Sequence, residues 1–148
     1  MPVIPVIETF PTAAAWARAC ATRLTDGLTA SVKARGRAVF AGSGGSTPKP
    51  VYRVMAETPL DWSKVAVTLV DERYVPESSP DSNARLLKRT LLKGPAAAAR
   101  FVPLFHPSIT IDRSALIAAR ALGAEVGGID VVLLGMGEDG HICSMFPG

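Results

Sequence analysis

The sequence predicts an α/β fold, a parallel sheet flanked by helices, formed as one domain over residues 1–148. Three observations carry that prediction. Short, nearly continuous apolar segments, Arg37–Ala41, Val65–Val70 and Val131–Leu134, read as strands buried on both faces. Segments with apolar residues at helical spacing alternate with them, as βα units require. Each apolar segment ends in a polar or glycine-rich loop, and in parallel sheets ligands bind outside the carboxyl ends of the strands.

The elements follow in order. From Thr12 to Arg35, Ala17, Cys20, Ala21, Leu24, Leu28 and Val32 recur on one helical face. Thr12 suits the N-cap and Gly36 the position after the C-terminus. Asp26-Gly27 is a point where this helix could divide in two. Arg37–Ala41 is the first strand, followed by Gly42-Ser43-Gly44-Gly45-Ser46-Thr47-Pro48. Pro48 fits the first turn of a helix running to about Glu57. Val65–Val70 is the second strand, ending in Asp71-Glu72-Arg73, and Ser82 caps a helix through Leu92. Gly94 to Pro107 reads as loop, with Phe101 to Phe105 extended. Asp112 caps a helix to Ala124, and Val131–Leu134 is the third strand. No repeat and no linker interrupts the series, so the pattern is Rossmann-like.

Composition narrows the partners. Of 148 residues, 48% are apolar and 20% charged, which fits a globular chain with a real core. The net charge of +3 is the balance of sixteen scattered basic residues against thirteen acidic ones. They read as a solvated surface, and a modest basic excess also suits an anionic small substrate. No basic stripe interleaved with aromatics points to nucleic acid, and no window is apolar enough to span a membrane. The start, Met1-Pro2-Val3-Ile4-Pro5, lacks the basic and apolar regions of a secretory signal, so a cytoplasmic location is expected. Cys20 and Cys143, like the two histidines, have no metal or redox spacing, so no metal is expected.

The loops hold the chemistry. Small residues in Gly42–Thr47 let backbone N–H groups approach an anion, and a helix start behind them adds unpaired donors. Ser46 and Thr47 add hydroxyls. The loop is not a Walker motif, because Thr47-Pro48-Lys49 stands where Gly-Lys-Ser/Thr is needed. Its alternative is a plain strand-to-helix turn. Gly135-Met136-Gly137-Glu138-Asp139-Gly140 matches G-x-G-x-x-G, but its two carboxylates would repel a pyrophosphate. His141 just beyond is a candidate general base. Asp139, Glu138 or Asp71 could hold its imidazole, and the alternative is a structural histidine bonding its own loop. Cys143 is a weaker nucleophile candidate, and His106 reads as structural. At the second strand end, Arg73 offers a planar fork for phosphate oxygens. Asp71 there is a base or an orienting group, and the alternative is a local ion-pair cluster. Asn83 could reach back to this strand-end loop.

Taken together, these residues resemble 6-phosphogluconolactonases. Ser43-Gly44-Gly45-Ser46-Thr47-Pro48, Val70-Asp71-Glu72-Arg73-Tyr74-Val75, Asp81-Ser82-Asn83, Gly135–His141 and Phe146-Pro147-Gly148 occur in that family in the same order. The resemblance spans essentially the whole chain. It implies hydrolysis of 6-phospho-D-glucono-1,5-lactone to 6-phospho-D-gluconate in the oxidative pentose phosphate pathway, with no cofactor. It assigns water activation to His141 and phosphate binding to Gly44, Gly45, Ser46, Thr47 and Arg73. Asp71 and Glu138 would line the site and orient His141 or sugar hydroxyls.

Glucosamine-6-phosphate deaminases share the fold and the sugar-phosphate site. Their strand-end motif tends to read Asp-Glu-Tyr, so Arg73 and Phe146-Pro147 favour the lactonase. Ile142 and Cys143 depart from the usual lactonase threonine and alanine. Ammonia release from glucosamine 6-phosphate would mark the deaminase. A non-catalytic sugar-phosphate sensor would bind without turnover. The implied partner is a small sugar-phosphate lactone, not nucleic acid or membrane. Similar lactonases continue for roughly another third of the chain, so the sequence is expected to be the N-terminal portion of a longer family domain.

Overall fold

The computed structural model describes residues 4–108 and 110–148. The expectation drawn from the first three residues lies outside them. The chain forms α1 (Ala13–Arg35), β1 (Ala38–Gly42), α2 (Lys49–Ala56), β2 (Val65–Leu69), α3 (Asn83–Thr90), β3 (Arg100–Phe101), α4 (Ile111–Glu125) and β4 (Val131–Val132). All strand pairs are parallel, in the order β3-β2-β1-β4. The α/β class with a parallel sheet is therefore as expected, with one strand more than the sequence pattern revealed.

β1 and β2 are buried along their whole length, because helices cover both faces. Phe40, Val65, Val67 and Leu69 pack with Leu24 and Leu28 of α1, Tyr52 and Met55 of α2 and Leu87 of α3. On the other face Val39, Ala66 and Val102 meet Val126 and Leu122 at the end of α4. Alternation of side chains along each strand sends successive residues to these two clusters.

Three expectations need correction. α1 does not divide at Asp26-Gly27 but runs unbroken. Gly27 instead lets the sheet come close, since a Cβ there would lie 3.0 Å from Val131 Cγ2. α4 is capped by Thr110, whose hydroxyl accepts from Arg113 N at 3.2 Å, and Asp112 sits inside the first turn. Strand pairing near Phe101 is confined to Arg100–Phe101. Beyond it Val102 N donates to Val67 O at 2.8 Å, and the chain then leaves the sheet.

β4 is short but firmly placed. Asp130 Oδ2 accepts from Val39 N at 2.8 Å, Asp130 N donates to Val39 O at 3.0 Å, and Arg35 pairs with the same carboxylate. Leu133 N donates to Ala41 O at 3.0 Å, which carries the register one residue past β4. The ends of β2, β1 and β4 thus lie side by side and point the same way.

Candidate active site

The first loop, residues 43–48, leaves β1 under tight backbone constraint. Tyr52 of α2 donates its buried hydroxyl to Ser43 O at 2.6 Å. Burial pushes the Tyr52 phenol far above its ordinary pKa, although the bond to Ser43 opposes this. It therefore stays a neutral donor. Gly44 must lack a side chain, because its Cβ would lie 2.0 Å from Asn83 Oδ1. Gly45 takes φ +92°, a left-handed conformation that favours glycine. Gly45, Ser46 and Thr47 are exposed, ahead of the N-terminus of α2.

The second loop is organised by Glu72. Its carboxylate accepts from Asn83 N and Ala84 N, both at 2.8 Å, and from Ser82 Oγ at 3.2 Å. It also accepts from Arg73 N at 2.8 Å. Glu72 is thus an anion seated on the N-terminus of α3, satisfying donors that the helix cannot. Sequence reasoning missed this role, since the helix begins eleven residues later. Asp71 is tied on both oxygens. Asn83 Nδ2 donates to its carbonyl at 3.1 Å and to Oδ1 at 3.3 Å, and Ser144 Oγ donates to Oδ2 at 2.6 Å. Arg73 is exposed, with Nη1 donating to Asp81 O at 3.2 Å and no carboxylate partner among the described residues. The local ion-pair cluster does not form, and the guanidinium keeps free donors.

The third loop, residues 133–148, is built around His141. Gly140, at φ +86°, turns the chain so that Gly140 N donates to Gly137 O and Gly137 N to His141 O, both at 2.9 Å. Gly137 leaves room for the ring, since its Cβ would lie 2.2 Å from His141 Nδ1. His141 Nδ1 stands 2.5 Å from Asp139 Oδ1, and its backbone N donates to the same oxygen at 3.2 Å. The hydrogen bond from His141 holds the Asp139 carboxyl below the usual carboxylate range. The Phe146 ring packs on the imidazole, with centroids 4.8 Å apart. The carboxylate that orients His141 is therefore Asp139, not Asp71 or Glu138. Glu138 is exposed and makes no hydrogen bond among the described residues. Cys143 is the single non-glycine residue with positive φ among those described. Partial burial and then the Asp71 charge raise its pKa, against a thiolate nucleophile.

The three loops touch. Asn83 underlies Gly44 and donates to Asp71, and Asp71 receives Ser144 of the histidine loop. This chain of contacts puts Gly44, Asp71, Arg73 and His141 at one end of the sheet. His106 is separate: its backbone N donates to Ser114 Oγ of α4 at 3.0 Å. A cleft of about 380 Å³ opens between Glu72, Arg73 and Tyr74 and the apolar face of α4, and His141 is not among its walls. Among the described residues no three His, Cys, Asp or Glu side chains gather as metal ligands, and no helix is long and apolar enough to cross a membrane.

This arrangement can hold an anion on backbone amides and an arginine fork while a carboxylate-bound imidazole faces the same end. Known proteins resemble the chain as a whole. The family model described as glucosamine-6-phosphate isomerases/6-phosphogluconolactonase matches residues 11–148. A 6-phosphogluconolactonase of Rhizobium meliloti (strain 1021) is 49% identical over 139 residues, covering 94% of this chain and 60% of that protein. One from Pseudomonas aeruginosa is 42% identical, covering 95% of this chain and 59% of its own length. The crystal structure of a 6-phosphogluconolactonase from Shewanella baltica OS155 superposes with a TM-score of 0.88 at 39% identity, over 91% of this chain and 58% of that one. The chain thus spans less than two thirds of the length of the curated relatives it matches.

Proposed function

Because the chain belongs to the glucosamine-6-phosphate isomerase/6-phosphogluconolactonase family, we propose that its three loops serve hydrolysis of 6-phospho-D-glucono-1,5-lactone to 6-phospho-D-gluconate. The observation that carries the reading is the 2.5 Å contact of His141 Nδ1 with Asp139, on a loop tied through Ser144 and Asp71 to the glycine loop.

With Nδ1–H held by Asp139, Nε2 is the free basic nitrogen. It takes a proton from a water as that water attacks the lactone carbonyl carbon. The tetrahedral intermediate collapses with cleavage of the bond to the ring oxygen. The imidazolium returns its proton to that oxygen, leaving a hydroxyl and a carboxylic acid that ionises. Asp139 stabilises the transient imidazolium without taking its proton. The substrate phosphate sits on the amides of Gly44 and Gly45, the hydroxyls of Ser46 and Thr47, and the Arg73 fork. Asp71 and Glu138 face sugar hydroxyls. A cytoplasmic setting goes with this reading, since a phosphorylated sugar does not cross membranes unaided.

The test follows acid release from fresh lactone, with spontaneous hydrolysis subtracted, for the protein and its His141→Ala variant. A loss of about 10²–10⁴-fold in kcat supports the reading. Ammonia from glucosamine 6-phosphate without lactone hydrolysis would replace it with a deaminase. Binding without turnover would replace it with a sensor.

A further inference from the structure

Four cations gather on two helices, apart from the residues proposed for lactone hydrolysis. Lys49 and Arg53 stand one turn apart on α2, and Arg85 and Arg89 one turn apart on α3. The two helices pack together, and the four side chains, with Pro80, Leu86 and Thr90, line a groove of about 320 Å³. Scatter along the sequence hides this cluster, because each helix supplies only half of it.

No carboxylate lines the groove. Among the described residues none of the four joins an ion pair, while neighbouring Lys88 takes Glu77 at 2.7 Å. Arg85 gives one N–H to the Ser78 carbonyl and keeps its other donors. Like charges at this spacing on one helix repel, and here two such pairs face one another. A bound anion relieves that repulsion. No aromatic residue lines the groove, so a nucleic acid base would have nothing to stack on. Its concave shape suits a compact ligand.

We propose that this groove binds a small diphosphate-bearing anion. A phosphoryl group carries about −1.5 to −2 near neutral pH, so two of them offset most of the charge of the four cations that line the groove. Arginine forks from the two helices suit tetrahedral oxyanions. Lys49 N also donates to Ser46 O at 3.3 Å, so the groove adjoins the end of the glycine loop while sharing no residue proposed for lactone hydrolysis.

Calorimetric titration of the protein with inorganic pyrophosphate tests this, using Arg53→Gln/Arg89→Gln and, separately, Arg73→Gln. Saturable binding is expected, weaker by about tenfold or more in the double variant and retained in Arg73→Gln. Arg53 and Arg89 are exposed, so both variants should fold. A thermal melt checks this, and Arg89→Gln alone serves if the double variant melts early. Absence of saturable binding would overturn the proposal. So would loss of binding in Arg73→Gln with none in the groove variants, which would place pyrophosphate in the glycine loop. Orthophosphate binding as tightly as pyrophosphate, or a duplex oligonucleotide binding more tightly at equal salt, would also overturn it.

Discussion

Asn83 occupies the space that a side chain on Gly44 would need. A Cβ at Gly44 would lie 2.0 Å from Asn83 Oδ1 and 2.9 Å from Nδ2. Asn83 is buried and bonded to Asp71, so it cannot swing away without breaking those contacts. The glycine loop and the aspartate loop are one mechanical unit.

Gly44→Ala should therefore disturb more than the glycine loop, because the added Cβ displaces Asn83 as well. Displacing Asn83 is expected to cost about 1–3 kcal/mol, the usual penalty of overpacking. It should also lower lactonase kcat/KM, because Asp71 and the loop amides shift together. Urea unfolding midpoints and steady-state rates check both effects.

Asp139→Ala removes the group that fixes His141. The imidazole keeps its contact with Phe146 but loses the acceptor on Nδ1. We expect kcat to fall by about 10-fold or more, a part of the roughly 10²–10⁴-fold that positioned proton transfer supplies, with KM little changed. An equal rise in KM would mark Asp139 as a binding residue instead.

The lowered pKa of Asp139 has a definite sign. A carboxylate depressed in the folded state contributes stability that is complete above its unfolded pKa and is lost as pH falls through its folded one. The His141–Asp139 bond should thus persist through the ordinary carboxylate range and fail below it. NMR titration of the Asp139 carboxyl carbon should give a midpoint below the usual aspartate value, returning toward that value in His141→Ala.

Glu72→Ala should destabilise the protein while sparing the chemistry. It strips the accepted bonds from Asn83 N, Ala84 N and Ser82 Oγ at the start of α3. Loss of a cap of this kind costs about 0.5–2 kcal/mol, seen as a lower thermal midpoint. Glu72→Gln, which keeps the acceptor oxygen, should recover part of it.

Much of this was legible in the residues. Buried runs such as Val65–Leu69 and the glycine turns after them show where strands end, and that fixes which loops meet. The rest depended on backbone geometry. Three carboxylates lie near His141 in sequence or fold, and only the turn set by Gly137 and Gly140 selects Asp139. Thr110 and Asp112 are both good cap residues, and a shift of two residues decides between them. The Arg100–Phe101 strand is too short for periodicity to register. Glu72 and the paired cations of α2 and α3 act between elements, where no local pattern can show them.

The bond from Val39 N to Asp130 joins residues 91 positions apart. The glycine loop belongs to the deeply packed β1–β2 pair, whereas His141 hangs from a two-residue strand whose Val132 faces solvent. The two loops therefore rest on parts of unequal local stability. Partial opening at β4 would carry the imidazole away while leaving the anion cradle formed. Under the proposed function, such an opened state would still capture substrate but could not convert it, so the fraction of active molecules would measure the docking of Asp130 as much as the chemistry of His141.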